Sequence, residues 1–305
     1  MFPSKEAGDY FNNNVILLKY NLDLEDPDGI MEKYSVRAYP TFVFVDGDGN
    51  EYARFLGGAN DTNAFLEKTK NALKPENSWA YREAKLKSDP SYTMEHIRHL
   101  NSAYMHEPAR ELLNKTFATR SVQENFSEES VRLYNSLITD INSPVVDFMI
   151  QNQREVSEVM GAEEYRLFLT SKANAQLGNK LMRMDIEKPE SVADVENDVV
   201  KIVSNPLLVS KYSEFLANNF GHIKNKDHSV IFEHSTKALP AFNPTEINMI
   251  ISLNASATRI LKTAIDPDVL RQRSIALYEI AMEFVTDSRV LENYQRALDR
   301  LKNTP

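Results

Sequence analysis

The 305-residue chain carries a net charge of −9, is 42% apolar and contains no cysteine. The missing thiol excludes disulfides, cysteine-ligated zinc and cysteine nucleophiles, and basic residues interspersed with acids supply no broad surface for nucleic acid. The length suits about two domains at one per 100–200 residues. No stretch approaches the roughly 18 apolar residues of a membrane span, and Met1-Phe2-Pro3-Ser4-Lys5-Glu6 lacks the basic-then-apolar order of a signal peptide.

Taken in order, Lys5 to Phe11 has the mix of a short helix tail, closed by Asn12-Asn13-Asn14. Val15-Ile16-Leu17-Leu18 is a continuous apolar run, the pattern of a short strand covered on both faces, and is expected to be central. Asp26 to Tyr34 can form a short helix, and Pro40 keeps the residue before it out of helical geometry. Thr41 to Val45, β-branched and aromatic, reads as a second buried strand. Asp46-Gly47-Asp48-Gly49-Asn50 is a hairpin turn into Glu51 to Leu56. Asn60 or Asp61 caps a helix through about Leu73, with Phe65, Leu66, Thr69 and Leu73 on one face.

This order, together with Val36-Arg37-Ala38-Tyr39-Pro40-Thr41, resembles the second half of the thioredoxin fold over the first quarter of the chain. The resemblance implies a cis Pro40, with the Tyr39 backbone positioned to pair with a bound peptide. It makes Tyr39, Pro40 and Thr41 the expected substrate-binding positions. It also implies that the Cys-x-x-Cys half of the fold belongs upstream of residue 1, so that Met1 is an internal start of an N-terminally truncated thiol-disulfide oxidoreductase relative. The chain as given is then expected to be redox-silent, with no catalytic residue, no metal and no cofactor. In that fold a further strand lies between the two strands expected here. Without it, the front must pair those strands directly, exchange strands with a second copy as a homodimer, or remain partly unfolded.

Lys74-Pro75-Glu76-Asn77-Ser78 reads as a linker, dividing a partial thioredoxin-like domain (1–74) from an α-helical domain (77–305); the fold class is α/β plus all-α. Asp89-Pro90, Ser143-Pro144, Asn205-Pro206, Asn243-Pro244 and Asp266-Pro267 each pair an N-cap residue with a proline at a helix start. Glu246 adds a near capping box to Asn243, and Phe242 can staple to Ile247. Ile275, Tyr278, Met282 and Val285 form one stripe and Leu291, Tyr294, Leu298 and Leu301 another, predicting a closing antiparallel pair. Small residues such as Ala276, Ala281 and Ala297 suit tetratricopeptide-like hairpins, but no 34-residue consensus recurs. The domain is expected to be irregular, with stacked hairpins. The architecture resembles bacterial envelope thioredoxin-like proteins with a long helical extension. Without a signal peptide the chain as given is expected to be cytoplasmic, and the resemblance implies a periplasmic or cell-envelope location if an upstream signal peptide has been lost.

Asp46, Asp48 and Asn50 match the start of a calcium loop, but Glu51 and Gly57 fail its sixth and twelfth positions, which favours a plain hairpin. His96 and His99, with His106 and Glu107 nearby, lack a third ligand at a defined spacing, which favours surface histidines. Tyr165, Phe168, Tyr212 and Phe215 at i, i+3 spacing read as core before peptide groove. Trp79, just past the linker, either pins the front to the helices or is an exposed tether. Three function classes follow: a redox-dead relative of thiol-disulfide oxidoreductases, a non-catalytic module binding a peptide or protein partner, and a helical scaffold.

Overall fold

The computed structural model describes residues 5–21, 26, 29–261 and 266–303. It is mostly helical, with one two-stranded antiparallel sheet. In chain order the elements of the first part are α1 (Lys5–Asn14), α2 (Ile30–Lys33), β1 (Thr41–Val45), β2 (Glu51–Leu56), α3 (Thr62–Ala72), α4 (Trp79–Ser88), α5 (Thr93–Ser102), α6 (His106–Phe117), α7 (Val122–Asn125), α8 (Glu128–Leu137) and α9 (Pro144–Gln151). The second part holds α10 (Gln153–Met160), α11 (Ala162–Arg183), α12 (Pro189–Val203), α13 (Lys211–Lys224), α14 (His228–Ala238), α15 (Pro244–Leu261), α16 (Pro267–Met282) and α17 (Ser288–Asn303). Two compact units result, residues 1–138 with 143–148, and residues 139–142 with 149–305. The Lys74–Ser78 linker, with a 3₁₀ turn at Pro75–Asn77, therefore lies inside the first unit.

In the first unit the β1–β2 hairpin is closed by its expected turn. Asp46 Oδ1 accepts from the N–H groups of Asp48 (3.0 Å) and Asn50 (2.9 Å). These donors, Asn50 foremost, hold the Asp46 carboxyl below its ordinary pKa. Thr41 pairs with Leu56, Phe42 with Phe55, Val43 with Arg54 and Phe44 with Ala53, but Val45 pairs with Glu51. Tyr52 is therefore the extra residue of a β-bulge.

One face of the hairpin carries Phe42 and Phe55, with ring centroids 4.9 Å apart, and each meets Phe65 of α3, at 4.7 and 5.7 Å. Asp61 caps α3 by accepting from Ala64 N–H at 2.8 Å, as the sequence predicts. Next to Phe65 on α3, Leu66 buries with Ala7 and Phe11 of α1.

Two expectations fail here. Val15-Ile16-Leu17-Leu18 is not a strand: the run follows α1 and joins no sheet, with Ile16 93%, Leu17 50% and Leu18 69% exposed. Apolar composition favours a strand only where a neighbour receives the ladder groups, and among the described residues β1 pairs with β2 alone. Direct pairing of this run with β1 is therefore not the course the front takes. The expected helix from Asp26 shortens to α2, capped by Asp26, which accepts from Ile30 N–H at 2.6 Å and Met31 N–H at 3.1 Å. Residues 27 and 28 of that expected helix lie outside the described residues.

In the second unit, α11 contacts α10, α12, α13 and α15. Tyr165, Phe168, Tyr212 and Phe215 are buried, the core reading. Asp198, 2% exposed, accepts from Gln176 Nε2 (2.7 Å), Lys180 Nζ (2.8 Å) and Asn142 Nδ2 (3.3 Å), while Gln176 Oε1 accepts from Ile141 N–H at 2.7 Å. Every partner is accounted for, the condition under which a buried carboxylate is tolerated. Helices begin at Pro244 and Pro267 here, as one does at Pro144 in the first unit, and Asn243 and Glu246 exchange hydrogen bonds in a capping box. Asn205-Pro206 instead forms a turn, and α13 starts at Lys211 behind the Ser210 cap. Asn205 Oδ1 caps Leu207 N–H, but the Ser210–Ser213 box downstream satisfies the first helical donors better. Helices α16 and α17 pack together, with Tyr278 and Tyr294 ring centroids 5.4 Å apart. Among the described residues no helix is long and apolar enough to cross a membrane.

Candidate functional site

The loop before β1 gathers the three residues expected to meet substrate. The Tyr39–Pro40 bond is cis, as the resemblance implies. The flanking backbone is occupied: Ala38 C=O accepts from Thr41 Oγ1 at 2.6 Å, and Pro40 C=O accepts from Gly57 N–H at 2.9 Å. Between them, the N–H and C=O of Tyr39 have no hydrogen-bond partner among the described residues. Tyr39 is 54% exposed, and its hydroxyl donates to Met31 Sδ at 3.5 Å. The loop is thus hydrogen-bonded on both sides of a residue whose own peptide groups are unpartnered among the described residues.

A second feature was not anticipated. The bulge at Tyr52 sets Glu51 on the same face of the hairpin as Arg54, because cross-strand partners share a face and Val45 and Val43 point the same way. Their side chains form a nearly dry ion pair, 14% and 2% exposed. Arg54 Nη2 also donates to Tyr34 C=O at 2.5 Å, and Trp79 Nε1 donates to Glu51 Oε1 at 2.7 Å. Trp79 is therefore docked on the hairpin and is not a tether. The only sequence signal was the lone tryptophan just past the linker. Its partner was hidden, because Glu51 and Arg54 are three apart and would diverge in a regular strand.

Beyond Trp79 opens a cleft of about 540 Å³, floored by Trp79, His96, Leu100, Met105 and Leu112 and rimmed by Glu83 and Glu111. His96 is 5% exposed, correcting its expected place on the surface: Trp79 and Tyr92 pack against its ring. Its Nδ1 is buried without a partner. Burial, then the neighbouring Arg82 and His99 charges, push its pKa below the ordinary histidine range, so the ring is neutral at pH 7. Among the described residues no carboxylate hydrogen-bonds to His96. The cleft can accept an apolar side chain. His99 instead contacts Glu95 at 3.4 Å, and His106 Nδ1 lies 2.9 Å from Asn101 Oδ1. Among the described residues no three metal-ligating side chains converge. Comparison with protein-family models, curated proteins and solved structures finds no match to this chain.

Proposed function

We propose that the chain is a redox-silent, thioredoxin-like protein-binding module in which the Tyr39–Thr41 loop receives an extended peptide. The observation that carries this reading is the unpartnered Tyr39 N–H and C=O between two hydrogen-bonded neighbours. An extended ligand gains affinity by pairing with backbone donors and acceptors already fixed in position. The hairpin followed by a capped helix also supports the thioredoxin-like reading of the front. With no thiol in the chain, the attack on a disulfide that thioredoxin chemistry requires has no nucleophile here. Binding of a peptide needs no such nucleophile.

The test is selection of peptides from a random displayed library on the immobilised chain, followed by amide chemical-shift mapping of a selected peptide. We expect the shifts to centre on residues 38–41, and Tyr39→Ala to weaken binding. Shifts centred on His96, Leu100 and Leu112 would move the function to the helical cleft, the second reading, which its apolar floor favours.

A further inference from the structure

Independently of the peptide-binding reading, we infer that two copies of this chain associate by reciprocal strand addition, residues 15–20 of each copy lying along the free edge of β1 in the other. Ile16, Leu17, Leu18 and Tyr20 are 93%, 50%, 69% and 39% exposed. Four of five consecutive positions thus form an apolar patch where a folded chain usually shows single scattered residues. The backbone of residues 16–20 takes part in no hydrogen bond among the described residues. Val15 is fixed against the Ala7, Phe11 and Leu66 cluster, so the run is anchored at its start and unpaired beyond it.

The complementary surface is on the same chain. Among the described residues β1 pairs with β2 along one edge and with no strand along the other. Its sequence Thr41-Phe42-Val43-Phe44-Val45 contains no charge and no proline, the devices that normally protect an open edge. Val45 is 49% exposed. A two-stranded sheet is marginal alone, and a third strand strengthens it.

The occupant follows from counting donors and acceptors of strand pairing. A foreign strand on β1 would satisfy the edge and leave the run Ile16–Leu18 in water. A second copy satisfies both at once, because each chain offers one run and one edge, and a two-fold axis closes the arrangement without propagating it.

Light scattering on the full chain across micromolar to several hundred micromolar concentration tests the inference. We expect the mass to rise from one chain to two and stop there. Ile16→Asp with Leu18→Asp removes the run, and Val45→Lys blocks the edge; each should return the protein to monomer. All three positions are exposed in the single chain, so the fold should persist, as checked by circular dichroism and Trp79 emission. Mixing the run variant with the edge variant leaves one intact run facing one intact edge, and should recover part of the dimer. A wild-type chain that stays monomeric, a dimer that survives both variants, or a mixture that recovers nothing would each overturn it.

Discussion

Trp79 and Glu51, 28 positions apart in sequence, are joined by an indole N–H to carboxylate hydrogen bond of 2.7 Å, and the same carboxylate neutralises Arg54 beneath it. Helix α4 is thereby tied to the hairpin through a charge that is itself almost dry. Removing Glu51 leaves the Arg54 guanidinium, 2% exposed, without a counter-charge. Glu51→Ala should cost about 3–5 kcal/mol, whereas Glu51→Leu with Arg54→Met should cost less than the single change, because no orphan charge remains. Trp79→Phe, which keeps a ring but loses the donor, should cost about 1.5 kcal/mol. Urea midpoints of the three variants decide the order.

Acid should weaken the fold through its histidines before its carboxylates. Burial lowers the pKa of His96, His99 and His234 in the folded chain. The unfolded chain therefore binds more protons near pH 6, and stability rises with pH there. Their contribution is present above the ordinary histidine pKa of about 6.5 and is lost as pH falls below it. Asp46, Asp89, Glu124 and Glu233 are also lowered, but they act below the ordinary carboxylate range, leaving pH 5 to 7 to the histidines. The slope of unfolding free energy against pH between about 5 and 7 should be positive, and smaller in His96→Phe. An unchanged slope would mean that His96 titrates alike in both states.

Phe65 joins three elements, meeting Phe42 and Phe55 on the hairpin and Phe11 on α1, the last at 6.0 Å. Phe65→Ala should cost about 3 kcal/mol and loosen the hairpin before the helices. Trp79 is the sole tryptophan. Its emission should therefore change at lower denaturant than helical circular dichroism in this variant, and together with it in the parent chain.

Gly178 lies where α11 approaches α13 and α15. A methyl group built there would sit 2.9 Å from Met249 Cε and 3.9 Å from Leu216 Cδ1. The tip of a methionine is the part of a core that yields most easily, and alanine favours a helix over glycine by about 1 kcal/mol. Gly178→Ala should leave the melting temperature unchanged or slightly raised. Gly178→Val, with two further carbons and a β-branch, should lower stability by about 1–3 kcal/mol. A large loss in the alanine variant would show that Met249 cannot move.

The elements with local causes were legible in the sequence. Asp46 makes its turn from its own neighbours, Asp61 and Asn243 cap the helices they precede, and the α16–α17 stripes follow from spacing alone. What could not be read depended on a partner remote in sequence. Val15–Leu18 has strand composition but, among the described residues, no strand pairs with it. His96 is buried because Trp79 and Tyr92 reach it, and the Asn205-Pro206 signal lost to a stronger cap five residues later. The Tyr39–Thr41 positions came from the family resemblance; the contrast between Tyr39 and its bonded neighbours came only with the folded backbone.

The bulge at Tyr52 also bears on which length changes this hairpin can inherit. Deleting Tyr52 alone leaves Glu51 two positions from Arg54, still on its face, and forfeits chiefly the 3.3 Å bond from the Tyr52 hydroxyl to Leu73 C=O. Deleting Ala53 instead would shift Tyr52, an aromatic ring, into the place of a residue that is only 3% exposed beside Phe44. Neighbouring codons of one strand thus differ sharply in whether they can be lost, and relatives a residue shorter here should lack the position of Tyr52.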